Sequence, residues 1–272
     1  MLIFSVFCGT VVEVLRIAVK KGGWTVKAGF IIPVYNHGST LEAVVDSLRI
    51  YSLPVIVVDD GNDARNRHFI DMVASSHPEV ELVTLEKNRG KGAAMNRGLV
   101  RAGELGWTHA FQLDADGQHD AGACGDFLKE AEKNPLAVIC GYPVYDETVP
   151  EMRRNGREFS NRWARLVTWN KDIKDVLCGF RIYPVDSYLK VLRKHAWIHR
   201  RMGYDVDILV HLLWDRVPLV NMGVRVTYPA DGVSNFRMVR DNLGISSTFA
   251  RLFIGMILRI PVLIIRRLGE KN

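Results

Sequence analysis

Apolar and polar positions follow two alternating rhythms along the first half of the chain. Short apolar runs rich in β-branched residues at 28–34, 54–58, 80–85, 107–113 and 136–140 read as buried strands, and stretches of helical period lie between them at 39–50, 64–76, 91–104 and 121–133. Strands alternating with helices specify a mostly parallel central sheet flanked by helices, because a parallel pair needs a crossover. Beyond Gly141 the rhythm changes to a Pro-bounded loop, a basic helix near 152–170, a strand around Phe180, a helix at 204–215 and strands near 217–228. No repeat, low-complexity tract or linker splits this pattern, so one α/β domain is expected over 27–245. An apolar extension at 1–26 precedes it and an amphipathic helix within 246–272 follows it.

Two of the strands end in carboxylates. Ala110-Phe-Gln-Leu-Asp114-Ala-Asp116-Gly-Gln118 runs from an apolar strand into two acids one residue apart. Such a pair turns both carboxylates toward one hard cation once the strand opens into a loop, and Gln118 adds a neutral oxygen. Asp114, Asp116 and Gln118 are therefore candidate ligands for Mg2+ or Mn2+, a charge suited to a diphosphate. The competing reading is a plain turn, which Asp and Gly favour for local reasons. Upstream, Pro54-Val-Ile-Val-Val-Asp59-Asp60-Gly61 ends in the same way, and Gly29-Phe-Ile-Ile-Pro33-Val-Tyr35 gives way to Asn36-His-Gly38. Ligands of open parallel sheets sit outside the carboxyl ends of the strands, so Asp59, Asp60, Asp114 and Asp116 are expected to line one mouth.

The segment Asn88-Arg-Gly-Lys91-Gly-Ala-Ala-Met-Asn-Arg-Gly98 lacks the glycine spacing of a P-loop or a dinucleotide fingerprint, so neither an NTPase nor a dehydrogenase is supported. Its Gly-Lys-Gly opening is expected to offer helix-start amides to a diphosphate. The alternative is that the glycines serve close packing of helix on sheet. Farther on, Gly203-Tyr-Asp205-Val-Asp207 places two acids two residues apart on a helix, hence on different faces, so at most one reaches a reaction centre. Acids near a helix N-terminus are also stabilised by its dipole alone.

Taken in order, Ile32-Pro33-Val34-Tyr35-Asn36, Val58-Asp59-Asp60-Gly61, Asn88-Arg-Gly-Lys91-Gly92 and Asp114-Ala-Asp116 resemble the motif series of family 2 glycosyltransferases, in the dolichyl- or polyprenyl-phosphate mannose synthase-like branch. A fainter likeness continues through Asp175-Val-Leu-Cys-Gly-Phe-Arg181 to Asp207. The resemblance implies the nucleotide-diphospho-sugar transferase fold, a UDP- or GDP-sugar donor and a lipid-linked acceptor, with inverting transfer. It implies donor contacts at Pro33, Tyr35, Asn36, Asp59, Asp60, Lys91 and Asp114, a general base at Asp205 or Asp207, and acceptor or phosphate contacts at Arg157, Ser160 and Arg181. Two competitors remain: a nucleotidyltransferase, which would carry a Gly-rich basic loop where Pro33–Gly38 stands, and a noncatalytic membrane-bound binding protein with a degenerate transferase site. The intact acidic set favours the enzyme.

Composition narrows the partners. The 272 residues carry a net charge of +6 without any nucleic-acid motif, which points to phosphate and anionic membrane surfaces. Cys8, Cys124, Cys140 and Cys178 show neither metal-ligand nor disulfide spacing, so a reducing cytoplasm is the expected setting. The stretch 248–268 is dominated by Leu, Ile, Phe and Val, while Arg251, Arg259 and Arg266 recur on one side of a helix and Pro261 interrupts it. That pattern predicts a helix lying on the cytoplasmic membrane face, its arginines toward the headgroups, rather than one crossing the bilayer; the competing reading is a terminal helix that covers the core.

Overall fold

The computed structural model describes residues 26–144, 151–195, 197–226 and 238–269, with 151–154, 238–240, 242 and 269 described by backbone alone. The extension at 1–25 lies outside the described residues, as does the run Ser234-Asn-Phe-Arg237.

Seven strands form a single sheet among the described residues: β1 (Ala28–Val34), β2 (Val55–Asp59), β3 (Val80–Thr84), β4 (His109–Gln112), β5 (Val138–Val144), β6 (Arg181–Pro184) and β7 (Leu219–Arg225). Their order is β3-β2-β1-β4-β6-β5-β7. All neighbours run parallel except at β6, which is antiparallel to both β4 and β5. The chain steps outward from β1 to β2 and β3 and then returns to β4 on the other side of β1. That reversal opens a crevice at the carboxyl ends of β1 and β4, where an open sheet binds its ligands.

The described residues form eight α-helices around the sheet: α1 (Gly38–Leu48), α2 (Ala64–Ser76), α3 (Lys91–Glu104), α4 (Cys124–Lys133), α5 (Glu151–Thr168), α6 (Val185–Lys194), α7 (Tyr204–Trp214) and α8 (Met238–Gly269), the last packed on α5 and α7. The period-two side-chain alternation of the strands sorts the core into two layers. Phe30, Ile32, Val34, Val55, Val57 and Phe111 pack with residues of α1, α2 and α4. Ile31, Ile56, Val58 and Ala110 pack with α3, α6, α7 and part of α8. With both faces covered, β2 is buried along its whole length, which accounts for its unbroken apolar run.

Two elements differ from the sequence expectation. The helix α6 was not anticipated; it starts directly after Pro184 and buries Val185, Tyr188 and Val191 at a spacing of three. The terminal helix begins at Met238, well ahead of 246, and continues through Pro261 to Gly269.

Every residue of α7 is buried, including Asp205, Asp207 and His211. A helix surrounded on all sides must find a partner for each charge it carries, because an unpaired buried charge is strongly disfavoured. The two aspartates meet that demand in opposite directions.

Candidate active site

At the carboxyl edge of β4 the backbone leaves the sheet and Asp114 turns toward the first residue of α3. The Lys91 ammonium lies 2.8 Å from Asp114 Oδ1 and 3.2 Å from Asp205 Oδ2, so one cation bridges the strand-end acid and the first acid of α7. Burial disfavours the ammonium, yet Asp114 and Asp205 outweigh it and raise the Lys91 pKa above its ordinary value. Burial likewise opposes ionisation of Asp114, but Lys91 holds its carboxyl below the usual range.

Asp205 is held from two further directions. Gln112 Nε2 donates to its Oδ1 at 3.0 Å, and Arg181 Nη1 donates to its backbone carbonyl at 2.7 Å. Gly179 closes the cluster. A Cβ on it would sit 2.7 Å from Asp114 Oδ2, 2.7 Å from Lys91 Nζ and 3.0 Å from Gln112 Nε2.

Asp207 points the other way. Its carboxylate accepts the His199 backbone N–H at 2.5 Å, lies 3.1 Å from His211 Nδ1 and pairs with Arg251 of α8. Burial opposes its charge, but His211, Arg251 and the His199 amide together hold its pKa below the usual carboxylate range. Two residues apart on one helix, Asp205 faces the strand-end cluster and Asp207 faces α8.

The acids of β2 hold loops in place. Asp59, fully buried, accepts Asn62 Nδ2 at 2.6 Å and Arg67 Nη1 at 2.7 Å. Asp60 receives the Arg89 and Gly90 amides at 2.7 and 2.8 Å and Asn88 Nδ2 at 3.1 Å. Burial raises the Asp60 pKa, against the lowering effect of those amides. Pro33, in register with Val58, is partly exposed, as is Tyr35. Asn36 is exposed at a φ of 59°, and its amide is accepted by Asn62 Oδ1 at 2.8 Å.

The amides of Gly92 and Ala93 at the start of α3 are already engaged. Gly92 N–H donates to the Arg200 carbonyl at 2.9 Å, Ala93 N–H reaches the Gly90 and Arg200 carbonyls, and the amides of Arg89 and Gly90 serve Asp60. The loop around Arg200 caps this terminus, and Gly90, at a φ of 98°, makes room for it; a Cβ there would meet the Arg200 oxygen at 2.4 Å. The segment presents the Lys91 side chain instead.

The residues assigned to an acceptor phosphate do not converge. Arg181 is fully buried and its Nη1 donates to the Asp205 carbonyl, while its Nε and Nη2 find no hydrogen-bond partner among the described residues; the buried Ser160 donates to the Gly156 carbonyl at 3.3 Å within its own helix. Arg157 grips both oxygens of Asp175 at 2.9 and 2.8 Å and lines a cavity of about 330 Å³ with Tyr142, Asn155, Asn161 and Lys174. The side chains of Arg153 and Arg154 lie outside the described residues.

Asp116 accepts the Gln118 amide at 3.0 Å across the turn at Gly117, so the motif does form a turn. Among the described residues no three His, Cys, Asp or Glu side chains are grouped as a metal cage. The donor set is nevertheless that of a hard cation: Asp114 and Asp116 are partly exposed carboxylates at the crevice, and Gln118 beside them is partly exposed too. Mg2+ in particular is commonly held by one or two carboxylates with substrate phosphates completing its shell. His119, next in sequence, has its Nε2 3.8 Å from Cys178 Sγ. Burial lowers its pKa, against the raising pull of Asp114 and Asp116.

The arginine stripe of α8 turns inward rather than toward solvent. Arg251 pairs with Asp207, Arg259 lies 4.2 Å from the Trp214 ring centroid, and Arg266 Nη2 donates to the Trp214 carbonyl at 2.5 Å. Each partner belongs to α7: a buried carboxylate, an aromatic face and a helix C-terminus, all of which attract a cation. The expected headgroup-facing stripe is thus a docking stripe onto the domain. The remaining surface of the helix exposes Ile254, Ile257, Leu258, Val262, Ile264, Ile265 and Leu268. Leu243–Leu268 is long and apolar enough to cross a membrane by length and composition. Cys124, Cys140 and Cys178 are buried free thiols, and Cys8 lies outside the described residues.

Of the residues at the centre of this geometry, Gln112, Gly179, His199 and Arg251 were not singled out for site roles from the sequence. Gln112 carried a signal, as a polar residue inside the apolar run of β4. The contacts of Gly179 and His199 depend on chain segments far apart in sequence and left none.

Comparison with known proteins bears on the family and the fold. A dolichyl-phosphate beta-glucosyltransferase of Dictyostelium discoideum is 25% identical over 219 residues, covering 72% of this chain. The chain spans 65% of that relative's length. Among solved structures, glucosyl-3-phosphoglycerate synthase from Mycobacterium tuberculosis in complex with UDP superposes with a TM-score of 0.58 at 16% identity, over 86% of each chain. A mannosyltransferase from Pyrobaculum calidifontis in complex with GDP-Man and Mn2+ gives 0.52 at 13% identity, over 94% of this chain and 83% of that one. These two share the fold. Residues 30–192 match the family described as glycosyl transferase family 2, more than half of the chain, and the protein belongs to this family.

Proposed function

We propose that the protein transfers a hexose from a UDP- or GDP-sugar to a polyprenyl-phosphate-type acceptor at a membrane surface, with inversion. The observation that carries this reading is the Lys91 bridge, which gathers a strand-end carboxylate suited to the diphosphate side and the acid of α7 suited to the acceptor side. The relatives named dolichyl-phosphate glucosyltransferases support the acceptor class and favour glucose over mannose.

In this reaction the acceptor oxygen bonds to the anomeric carbon as the bond to the nucleoside diphosphate breaks, and Asp205 takes whatever proton that oxygen still carries. A phosphate monoester has lost most of its second proton by pH 7, so this help matters most for a hydroxyl or a monoprotonated phosphate. Lys91 lies within reach of the negative charge that builds on the departing diphosphate. Asp114, Asp116 and Gln118 would hold a divalent cation, which when bound supplies Lewis-acid stabilisation of the same charge. Pro33, Tyr35, Asn36, Asp59 and Asp60 shape the crevice for the nucleotide, the two acids by fixing its loops. Arg157 and Lys174 are the cations of the neighbouring cavity and the candidates for an acceptor phosphate. The apolar outer face of α8 rests on the lipid surface, and the buried free thiols suit a cytoplasmic face.

The decisive experiment is binding of UDP-glucose, UDP-N-acetylglucosamine and GDP-mannose with and without Mg2+ or Mn2+, followed by transfer to a short polyprenyl phosphate. One donor should bind in a cation-dependent way, and Asp116→Ala should abolish that dependence while the melting curve is retained. Full turnover by Asp116→Ala would refute the cation assignment. Hydrolysis of a nucleoside triphosphate in place of sugar transfer would favour the nucleotidyltransferase alternative.

A further inference from the structure

The carboxylate of a general base works only if one oxygen is aimed at the proton it must take, and a carboxylate facing a lone ammonium is free to rock. The structure offers a second restraint on Asp205 that neither the family match nor the relatives assign. Gln112 is fully buried in β4, between strands β1 and β6. A primary amide in that position is costly unless both of its ends are hydrogen-bonded. Both are: the Tyr183 hydroxyl donates to Gln112 Oε1 at 3.2 Å, and Gln112 Nε2 donates to Asp205 Oδ1 at 3.0 Å. The carboxylate settles which way the amide faces, since its oxygen accepts and so requires the NH2, which leaves Oε1 to take the Tyr183 hydroxyl proton.

We propose that Gln112 is a positioning residue for Asp205, oriented by Tyr183, and that it fixes which carboxylate oxygen is offered to the acceptor. Oδ1 is taken by the amide, and Oδ2 is left on the Lys91 side, where Asp114 also stands. Arg181 completes the restraint from behind by holding the Asp205 carbonyl, which pins the first turn of α7. Positions 112 and 114 fall on the same side of an extended chain, and the nearness of both side chains to Gly179 confirms it. One strand therefore indexes both ends of the reaction: Asp114 at the diphosphate, and Gln112 at the base. A rigid strand is the right bearer for this, because an error of about 1 Å in a reacting group costs on the order of 10²-fold in rate.

This inference rests on Asp205 acting at the acceptor, and the test separates the two. Gln112→Met keeps the length of the side chain and removes both hydrogen bonds. Transfer would be measured at pH 6, where a phosphate acceptor still carries part of its proton, with the donor that binds in the panel above and a short polyprenyl phosphate. The expected result is a fall in kcat of about 10-fold with the donor KM within about twofold. In an Asp205→Asn background the same substitution should cost nothing further, because the group it positions is gone. Tyr183→Phe removes only the orienting hydroxyl and should give a smaller loss of the same kind, which keeps the test open if Gln112→Met fails to fold. A Gln112→Met loss that multiplies with that of Asp205→Asn, or that appears in donor KM, would overturn the positioning role while leaving the base intact. Full transfer by Asp205→Asn would remove the base assignment itself and the inference with it.

Discussion

Replacing Arg251 by Met tests whether α8 is locked to the domain by charge. The side chain reaches Asp207, whose carboxylate is 0% exposed while the arginine is 38% exposed. Removing one partner of a fully buried pair costs about 3–5 kcal/mol, because the other charge is left unpaired. Two features reduce that figure here: the arginine is partly solvated, and the His199 amide and His211 remain on the carboxylate. A loss of about 1–2 kcal/mol is the reasonable expectation, or a fall in Tm of about 2–8 °C for a domain of this size.

The pH dependence fixes the cause. The folded-state pKa of Asp207 lies below that of an unfolded carboxylate, near 3.9, so its contribution is fully present above that value and fades as pH falls through the folded one. The Tm gap between wild type and Arg251→Met should therefore be constant from about pH 5 to 8 and shrink below about pH 4. Differential scanning fluorimetry across that range, with Asp207→Asn and the double variant to close a cycle, reads the coupling directly. A gap that persists undiminished in acid would mean that Arg251 stabilises by packing alone, and no gap at neutral pH would mean that α8 is not held by this pair.

Other variants address the chemistry and the surface. Asp205→Asn should keep donor affinity and slow transfer to a hydroxyl acceptor by about 10²-fold or more; for a phosphate acceptor the loss should shrink as pH rises above about 6. Asp207→Asn should instead lower Tm, with activity following stability; equal kinetic losses at unchanged Tm would contradict this division of labour. Gly179→Ala pushes against the movable ends of Asp114, Lys91 and Gln112, so it should leave Tm within about 2 °C yet reduce kcat/KM at least about 10-fold. Wild-type kinetics there would show that the cluster has slack. Leu258→Glu, on a side chain 76% exposed, should release the protein from liposomes in a sedimentation assay while donor hydrolysis survives. Because the arginines face inward, raising the salt should release little of the wild type; complete release by salt would restore the headgroup role of the stripe.

The sheet was legible because its signals are local. Apolar runs gave β1 to β3 to within a residue and located β4 within 107–113, and carboxylates at two strand ends pointed to the crevice. What the sequence hid is partnership. The amides at the start of α3 look free for a diphosphate until the Arg200 carbonyl, more than a hundred residues later, is found capping them. Arg181 looks like a phosphate ligand from its motif, and the motif does not show that its place in the interior strand β6 buries it fully, with the Asp205 carbonyl as the acceptor of its Nη1. The arginines of α8 were correctly placed on one side of a helix by their spacing, but periodicity does not say whether that side meets lipid or protein. The deciding fact was the buried Asp207, whose need for a cation is visible only once α7 is known to be enclosed.

Charge bookkeeping at the strand-end cluster carries one more consequence. Lys91 stands between Asp114 and Asp205 and neutralises one of the two, so the cluster is left with a net negative charge. A nucleoside-diphosphate sugar brings about two more negative charges to the same edge. Lys91 cannot serve the acids and the diphosphate equally well, and the Gly92 and Ala93 amides at the start of α3 are already engaged by backbone carbonyls. Donor binding should therefore be weak unless a dication joins Asp114 and Asp116, which would also free the ammonium to turn toward the departing phosphate. Linkage makes this reciprocal: whatever factor the cation adds to donor affinity, the donor must add to cation affinity. Titrating Mn2+ with and without the donor tests that equality by two independent routes, and cation affinity indifferent to the donor would place the metal, if it binds at all, away from the diphosphate.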